Sequence, residues 1–126
     1  MRSAIKRPTE EETNLSGFQL FNKLTADEFN RLHYEKTCSL YNKGTVIYRE
    51  GSRLTGFFCV TKGIIKIFKT GIDGKEQIIR FAKKGEIIAY RSLLSQELAC
   101  TTAKVLDDAV LCHIPYQTLL FLIQSN

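Results

Sequence analysis

Residues 57–82 read FFCVTKGIIKIFKTGIDGKEQIIRFA. Ile65 and Ile67 alternate with Lys66 and Phe68, the period-two pattern of a half-buried strand. Asp73-Gly74 then joins this strand to KEQIIRFA. Asp-Gly between alternating segments is the strongest short-range hairpin signal, because both central residues of the tight turn need positive φ. In the second strand the alternation predicts Ile79 and Phe81 facing in and Arg80 facing out. The stretch is therefore antiparallel β.

The same style extends outward. TVIYRE is followed by the loop GSRLTG on the N-terminal side, and KKGEIIAY makes a turn into a short strand on the other. RSLLSQE fits about one helical turn. CTTAKVL and AVLCHI read as two further strands split by the turn signal Asp107-Asp108. Before the strands, LTADEFNRLHY predicts a short helix, with Thr25 as N-cap and Glu28 three residues on as its capping-box partner. After them, Pro115 opens PYQTLLFLIQSN, a second helix apolar enough to pack. Helix, about seven or eight short strands with tight turns, then helix argues for an antiparallel sandwich or barrel. No βαβ rhythm supports a doubly wound sheet.

With 126 residues, 44% hydrophobic and 25% charged, the chain is one ordinary globular domain. The longest apolar run, Leu119 to Ile123, is far short of the ~20 residues of a membrane span. MRSAIKRPTEEETN has no apolar core and is not a secretory signal, so a cytoplasmic protein is expected. Net charge is +5, which permits an anionic partner, yet the lysines are scattered singly along strands rather than gathered into a nucleic-acid patch. Cys38, Cys59, Cys100 and Cys112 are widely spread without a CxxC pair. The expectation is four isolated cysteines, the usual small buried residues, with neither disulfide nor metal.

Nothing assembles into catalytic machinery. His33 and His113 stand far apart, Ser92 and Ser95 have no adjacent histidine, and Asp107-Asp108 reads as a solvated turn. The glycines say more. Gly44, Gly51, Gly56, Gly63, Gly74 and Gly85 recur at strand boundaries, where a positive φ or tight corner is needed.

Lys43-Gly44, Glu50-Gly51, FFCVTKG at 57–63, Asp73-Gly74 and KGEIIA at 84–89, in that order, resemble the effector domain of the Crp/Fnr family of bacterial transcription regulators. CHIPYQTLLFLI at 112–123 is similar to the family's last strand and the helix after it. The resemblance runs from about Phe18 to Asn126. It implies a mainly β fold, a double-stranded β-helix jelly roll with flanking short helices. It divides the chain into a polar N-terminal arm at 1–15 and a cyclic-nucleotide-binding-like effector domain at 16–126. Family members continue into a dimerisation helix and a DNA-binding helix-turn-helix, so this chain is expected to be a fragment, to reach DNA only through the missing part, and to act as a homodimer when whole.

The implied site departs from the family's pattern. Members that bind cyclic AMP carry a glutamate for the ribose and an Arg-Ser pair for the cyclic phosphate. The glutamate position falls here on Tyr90, and the pair on Ala99-Cys100, or on Leu98-Ala99 one residue earlier. Neither register supplies a guanidinium, so the ordinary phosphate site is expected to be lost. Arg91 and Ser92, at the start of the short helix, offer an alternative cation where helix N–H groups favour anions; a solvent-facing arginine is the bland alternative. The candidate ligand-binding residues are therefore Ala89, Tyr90, Arg91, Ser92, Ala99, Cys100 and Thr101, with no catalytic residue, metal or cofactor. The leading reading is a non-enzymatic effector-sensing domain for a small anionic effector. Its rival is a ligand-free interaction or dimerisation module whose degenerate pocket is packed shut by Tyr90. An oxygen-sensing cluster is not expected, because the N-terminal arm has no cysteine.

Overall fold

A computed structural model describes residues 7–124. Two 3-10 turns, Glu11–Thr13 and Gln19–Phe21, lead into helix α1, Ala26–Glu35. Strands β1 (Thr37–Tyr41), β2 (Val46–Tyr48), β3 (Gly56–Thr70), β4 (Glu76–Lys83) and β5 (Ile87–Ile88) follow. Helix α2 (Tyr90–Leu94), strand β6 (Thr102–Pro115) and helix α3 (Tyr116–Gln124) complete the order. The capping box that starts α1 is present: the Thr25 hydroxyl accepts from the Glu28 N–H at 3.1 Å, and the Glu28 carboxylate accepts from the Thr25 N–H at 2.8 Å.

The strands form one antiparallel ladder in the order β1-β6-β3-β4, with β2 added on β6 and β5 on β3. β3 and β6 are the two long partners, and each serves two layers. Their outer segments, around Cys59 and Cys112, pair with β5 and β1. Their other segments, around Ile67 and Ala103, pair with β4 and β2. Between the two, the register shifts at Val60/Lys62, Lys62/Ile64 and Ile64/Ile65, so both strands turn a corner together. The ladder thereby rolls on itself as a jelly roll. Val60, Ile65, Ile67, Ala82, Ile88, Ala103, Val105, Ala109 and Leu111 fill the interior. The opposite face, with Phe57, Cys59, Cys112 and Ile114, is covered by Leu15, Phe18, Phe21, Leu32, Leu119 and Leu122 from the helices and turns.

α1 and α3 hold each other across this outer layer. The Thr118 hydroxyl donates to Glu35 at 2.6 Å, and Arg31 stacks over the Phe121 ring at 3.8 Å. The Thr118 donor, aided by Arg31, holds the Glu35 carboxyl below its usual range against the opposing effect of desolvation.

Three expectations are corrected. There are six strands among the described residues, not seven or eight, because Asp107-Asp108 lies inside β6 rather than ending a strand. The polar pair marks the corner: Asp107 pairs with Ile64, the ladder skips Asp108, and the Asp108 carboxylate accepts from the Lys43 N–H at 2.7 Å. Next, the faces of β4 are inverted. Ile67 pairs with Arg80 and Ile65 with Ala82, so Arg80 shares the face of the roll interior, and Phe81, opposite Lys66, is 48% exposed. The register jumps from Ile67/Arg80 to Phe68/Ile78, leaving Ile79 as an extra residue, 54% exposed. One inserted residue swaps every side chain between faces. Lastly, the cysteines are not isolated. Cys38 and Cys112 form a disulfide, their Cα atoms 3.9 Å apart although 74 residues separate them in sequence. The β1–β6 pairing creates that contact, and no local spacing foreshadows it. Closing so long a loop contributes up to about 4 kcal/mol by the chain-entropy argument.

Candidate functional site

The roll opens at one end into a cavity of about 600 Å³. Its floor is the roll interior, Ile67 on β3 and Ile88 on β5. α2 and the residue before it form one wall, through Ala89, Tyr90, Arg91 and Ser92. Cys100 and Thr101, which lead into β6, form another. Tyr48, Leu54, Ile79, Arg80 and Ile87 close the sides, and Leu20 reaches over from the 3-10 turn.

The chain enters α2 through an unusual backbone. Ala89 has φ 71°, in the left-handed region that a residue with a Cβ resists. The conformation turns the chain sharply out of β5 and faces Tyr90–Ser92 to the cavity. Replacing Ala89 with glycine removes the Cβ conflict at the cost of a floppier unfolded chain. The expected net gain is about 0.5–1 kcal/mol, read as a rise in Tm of roughly 2–6 °C. An unchanged or lower Tm would contradict the strain.

Six of the seven predicted site residues border this one cavity: Ala89, Tyr90, Arg91, Ser92, Cys100 and Thr101. Ala99 does not. It is 3% exposed, and its backbone bonds to Ser52 and Gly51 at 2.8 and 2.7 Å, fastening the loop behind the site. Tyr90 leans its ring edge-on to Phe57, centroids 5.3 Å apart, and leaves the cavity open. α2 has only five residues and no side-chain cap, so its dipole adds little and charge must come from side chains.

Two guanidiniums border the space. Arg80 is committed: it donates to the Ile87 carbonyl at 2.9 Å and lies 3.6 Å from the Glu86 carboxylate. Arg91 is exposed and, among the described residues, has no carboxylate in ion-pair range. Tyr48 stacks on Phe58 and its hydroxyl meets Thr101; burial pushes the phenol up, so it stays a protonated donor at neutral pH. The Ser92 hydroxyl and the exposed Cys100 thiol are 3.5 Å apart. The set suits a small ligand with an anionic head and an apolar body. No group of three or more His, Cys, Asp or Glu side chains is poised for a metal among the described residues.

Sequence reasoning missed Arg80, Tyr48 and Leu54. The bulge at Ile79 hid Arg80, since strict alternation sent it to solvent. Tyr48 and Leu54 carry no motif, and only the roll brings β2 and its following loop to the cavity.

Residues 39–126 match the family model of the cyclic nucleotide-binding domain. The chain is 30% identical over 77 residues to the transcriptional activator protein FnrA of Stutzerimonas stutzeri, a match covering 61% of this chain and 31% of that protein. It is 27% identical over 115 residues to cGMP-dependent protein kinase 2 of Mus musculus, covering 90% of this chain and 15% of the kinase. It thus spans less than a third of either relative. Among solved structures, the sensor domain of the transcriptional regulator DNR from Pseudomonas aeruginosa superposes with a TM-score of 0.83 at 20% identity, over 89% of this chain and 75% of that one. That likeness carries the jelly-roll fold, and the family match extends from β1 through α3. The chain belongs to the cyclic nucleotide-binding domain family.

Proposed function

We propose that this chain is the effector-sensing domain of a Crp/Fnr-like transcription regulator, that it has lost the ordinary cyclic-AMP phosphate site, and that its cavity takes a small anionic effector held by Arg91. One observation carries the reading. The 99–101 segment presents a thiol and a hydroxyl to the cavity, while the uncommitted guanidinium comes from α2. A phosphate enclosed beside Cys100 and Thr101 would lack its cation, and burying an unpaired charge is costly. At the mouth, Arg91 meets an anion still partly hydrated.

On this reading the domain is regulatory rather than catalytic and works in the cytoplasm. Effector binding biases two arrangements of the whole protein, a homodimer that reaches DNA through a part outside this domain. The rival, a ligand-free association module, draws support from exposed apolar residues of the β3–β4 hairpin outside the cavity: Ile72, Ile78 and Phe81.

Calorimetry separates these readings. Cyclic AMP, cyclic GMP, inorganic phosphate and benzoate are titrated into the protein and into Arg91→Ala. The expected result is no micromolar binding of either cyclic nucleotide. At least one simple anion should bind, and its affinity should drop about tenfold or more in the variant, as for a lost charge-assisted hydrogen bond. Micromolar cyclic AMP binding would overturn the lost site. Silence with every anion would favour the association module.

A further inference from the structure

Cys38, Cys112 and Cys59 lie on a single rung of the sheet. Cys112 on β6 is directly opposite Cys38 on β1 and Cys59 on β3. Residues directly opposite in a sheet share a face, so all three side chains project into the outer layer under the 3-10 turns. The Val60 N–H bonds to Glu86 on the β5 side, so neighbouring Cys59 turns its own backbone groups towards β6. Cys59 and Cys112 are therefore the wide, hydrogen-bonded pair. Cys38 and Cys112, 3.9 Å apart at Cα, are the narrow one.

We infer that Cys38 and Cys112 form a reversible two-electron redox site, which accepts electrons from small dithiols and whose closure pins the N-terminal segment onto the roll. β1 is the edge strand, and Cys38 is only half-buried, so a reagent can approach its sulfur from the open side. A dithiol thiolate attacks Cys38 Sγ, and the Cys38–Cys112 bond breaks. Its electron pair leaves on Cys112 Sγ, which takes a proton. The reagent's second thiol then displaces Cys38 and leaves as a cyclic disulfide. Two electrons and two protons pass from reagent to protein. Cys59 stays a spectator. Burial pushes its thiol up to about 12, so at pH 7 it keeps its proton and lacks the thiolate that attack requires.

The N-terminal segment sits directly on this pair. The Glu12 carbonyl lies 3.8 Å from Cys112 Sγ, and the Glu12 carboxylate meets Lys62 at 3.5 Å. The Lys36 ammonium, two residues before Cys38, donates to the Thr13 carbonyl. Leu15, Phe18 and Phe21 share one apolar cluster with Cys59 and Cys112. Two unbonded sulfurs keep van der Waals distance, so reduction drives them apart inside a close-packed layer. Either the edge strand splays or the segment above lifts. Leu20 of that segment lines the cavity, so the redox state is felt there. The site also reconciles the cysteines with a reducing compartment, where disulfides are transient and redox-sensing.

The test is hydrogen exchange on the whole chain, oxidised and then treated with dithiothreitol under native conditions, with cysteine pairing mapped by acid-quenched alkylation. The oxidised protein should show Cys38 linked to Cys112. Reduction should proceed without denaturant and raise exchange several-fold in residues 9–21 and 37–41. Cys38→Ser should match the reduced protein and ignore the reagent, whereas Cys59→Ala should keep the response. A disulfide that yields only after unfolding would overturn the inference. So would identical exchange in both states, free Cys38 in an oxidising glutathione buffer, or a response lost in Cys59→Ala. None of these readouts involves a cavity ligand.

Discussion

Gly63→Ala is expected to cost about 2–5 kcal/mol, a large part of the ~5–15 kcal/mol that holds a domain folded. Gly63 stands at the corner where β3 and β6 bend together, with φ 88°. A Cβ there would lie 2.6 Å from the Asp108 carbonyl and 2.7 Å from the Ala109 Cα, both backbone of the facing strand. Neither atom can swing aside as a side-chain tip would. The left-handed conformation adds about 1–2 kcal/mol and the overpacking about 1–3 more. Gly44→Ala is the control. It has φ 93°, but its Cβ would meet nothing within 4 Å, so only the conformational part is expected, about 1–2 kcal/mol. Urea unfolding of both variants reads the difference. Equal losses would mean that the crowded corner is not what holds the roll closed.

The second large effect is a gain. Cys100→Arg is expected to raise cyclic AMP affinity about 10–100-fold over the parent, since a guanidinium on phosphate contributes about 1.5–3 kcal/mol. Position 100 is chosen by geometry: Cys100 is exposed and borders the cavity. Ala99→Arg should do the opposite. Ala99 is almost fully buried, with its backbone tied to Gly51 and Ser52, so the bulky cation should destabilise the loop without conferring binding. Calorimetry at low salt, together with the Tm of each variant, checks both halves. Binding conferred by Ala99→Arg and not by Cys100→Arg would reverse the assignment of the cavity wall. Failure of both would leave the parent's weak binding explained by something other than a missing cation.

The parts of the fold that sequence made legible are those whose causes are local. Thr25 and Glu28 satisfy each other's backbone across three residues, so α1 announces its own start. Asp73-Gly74 marks the place of the β3–β4 turn, but the turn is longer than the two-residue one expected: residues 71–75 separate the paired ends Thr70 and Glu76. The Gly74 N–H donates to the Gly71 carbonyl at 2.9 Å, and Gly74 takes positive φ, 81°, without Asp73. The site was legible in outline because Ala89–Ser92 and Cys100–Thr101 belong to an ordered motif. Its charge was not. Arg80 reaches the cavity only through the extra residue in β4, and a period-two reading has no way to register one inserted position.

The amino-acid sequence by itself determined the antiparallel class, the helical ends, the absence of an arginine at 99–101 and the neighbourhood of the cavity, because each depends on residues close in the chain. Only the tertiary structure decided that two long strands turn a shared corner, that Arg80 faces inward while Phe81 faces out, and that Cys38 meets Cys112 with Cys59 beside them. The physical reason is that register between distant strands is a collective quantity. It is set by packing the whole interior at once, and one bulge or one rung of pairing reassigns side chains that no local pattern ties together.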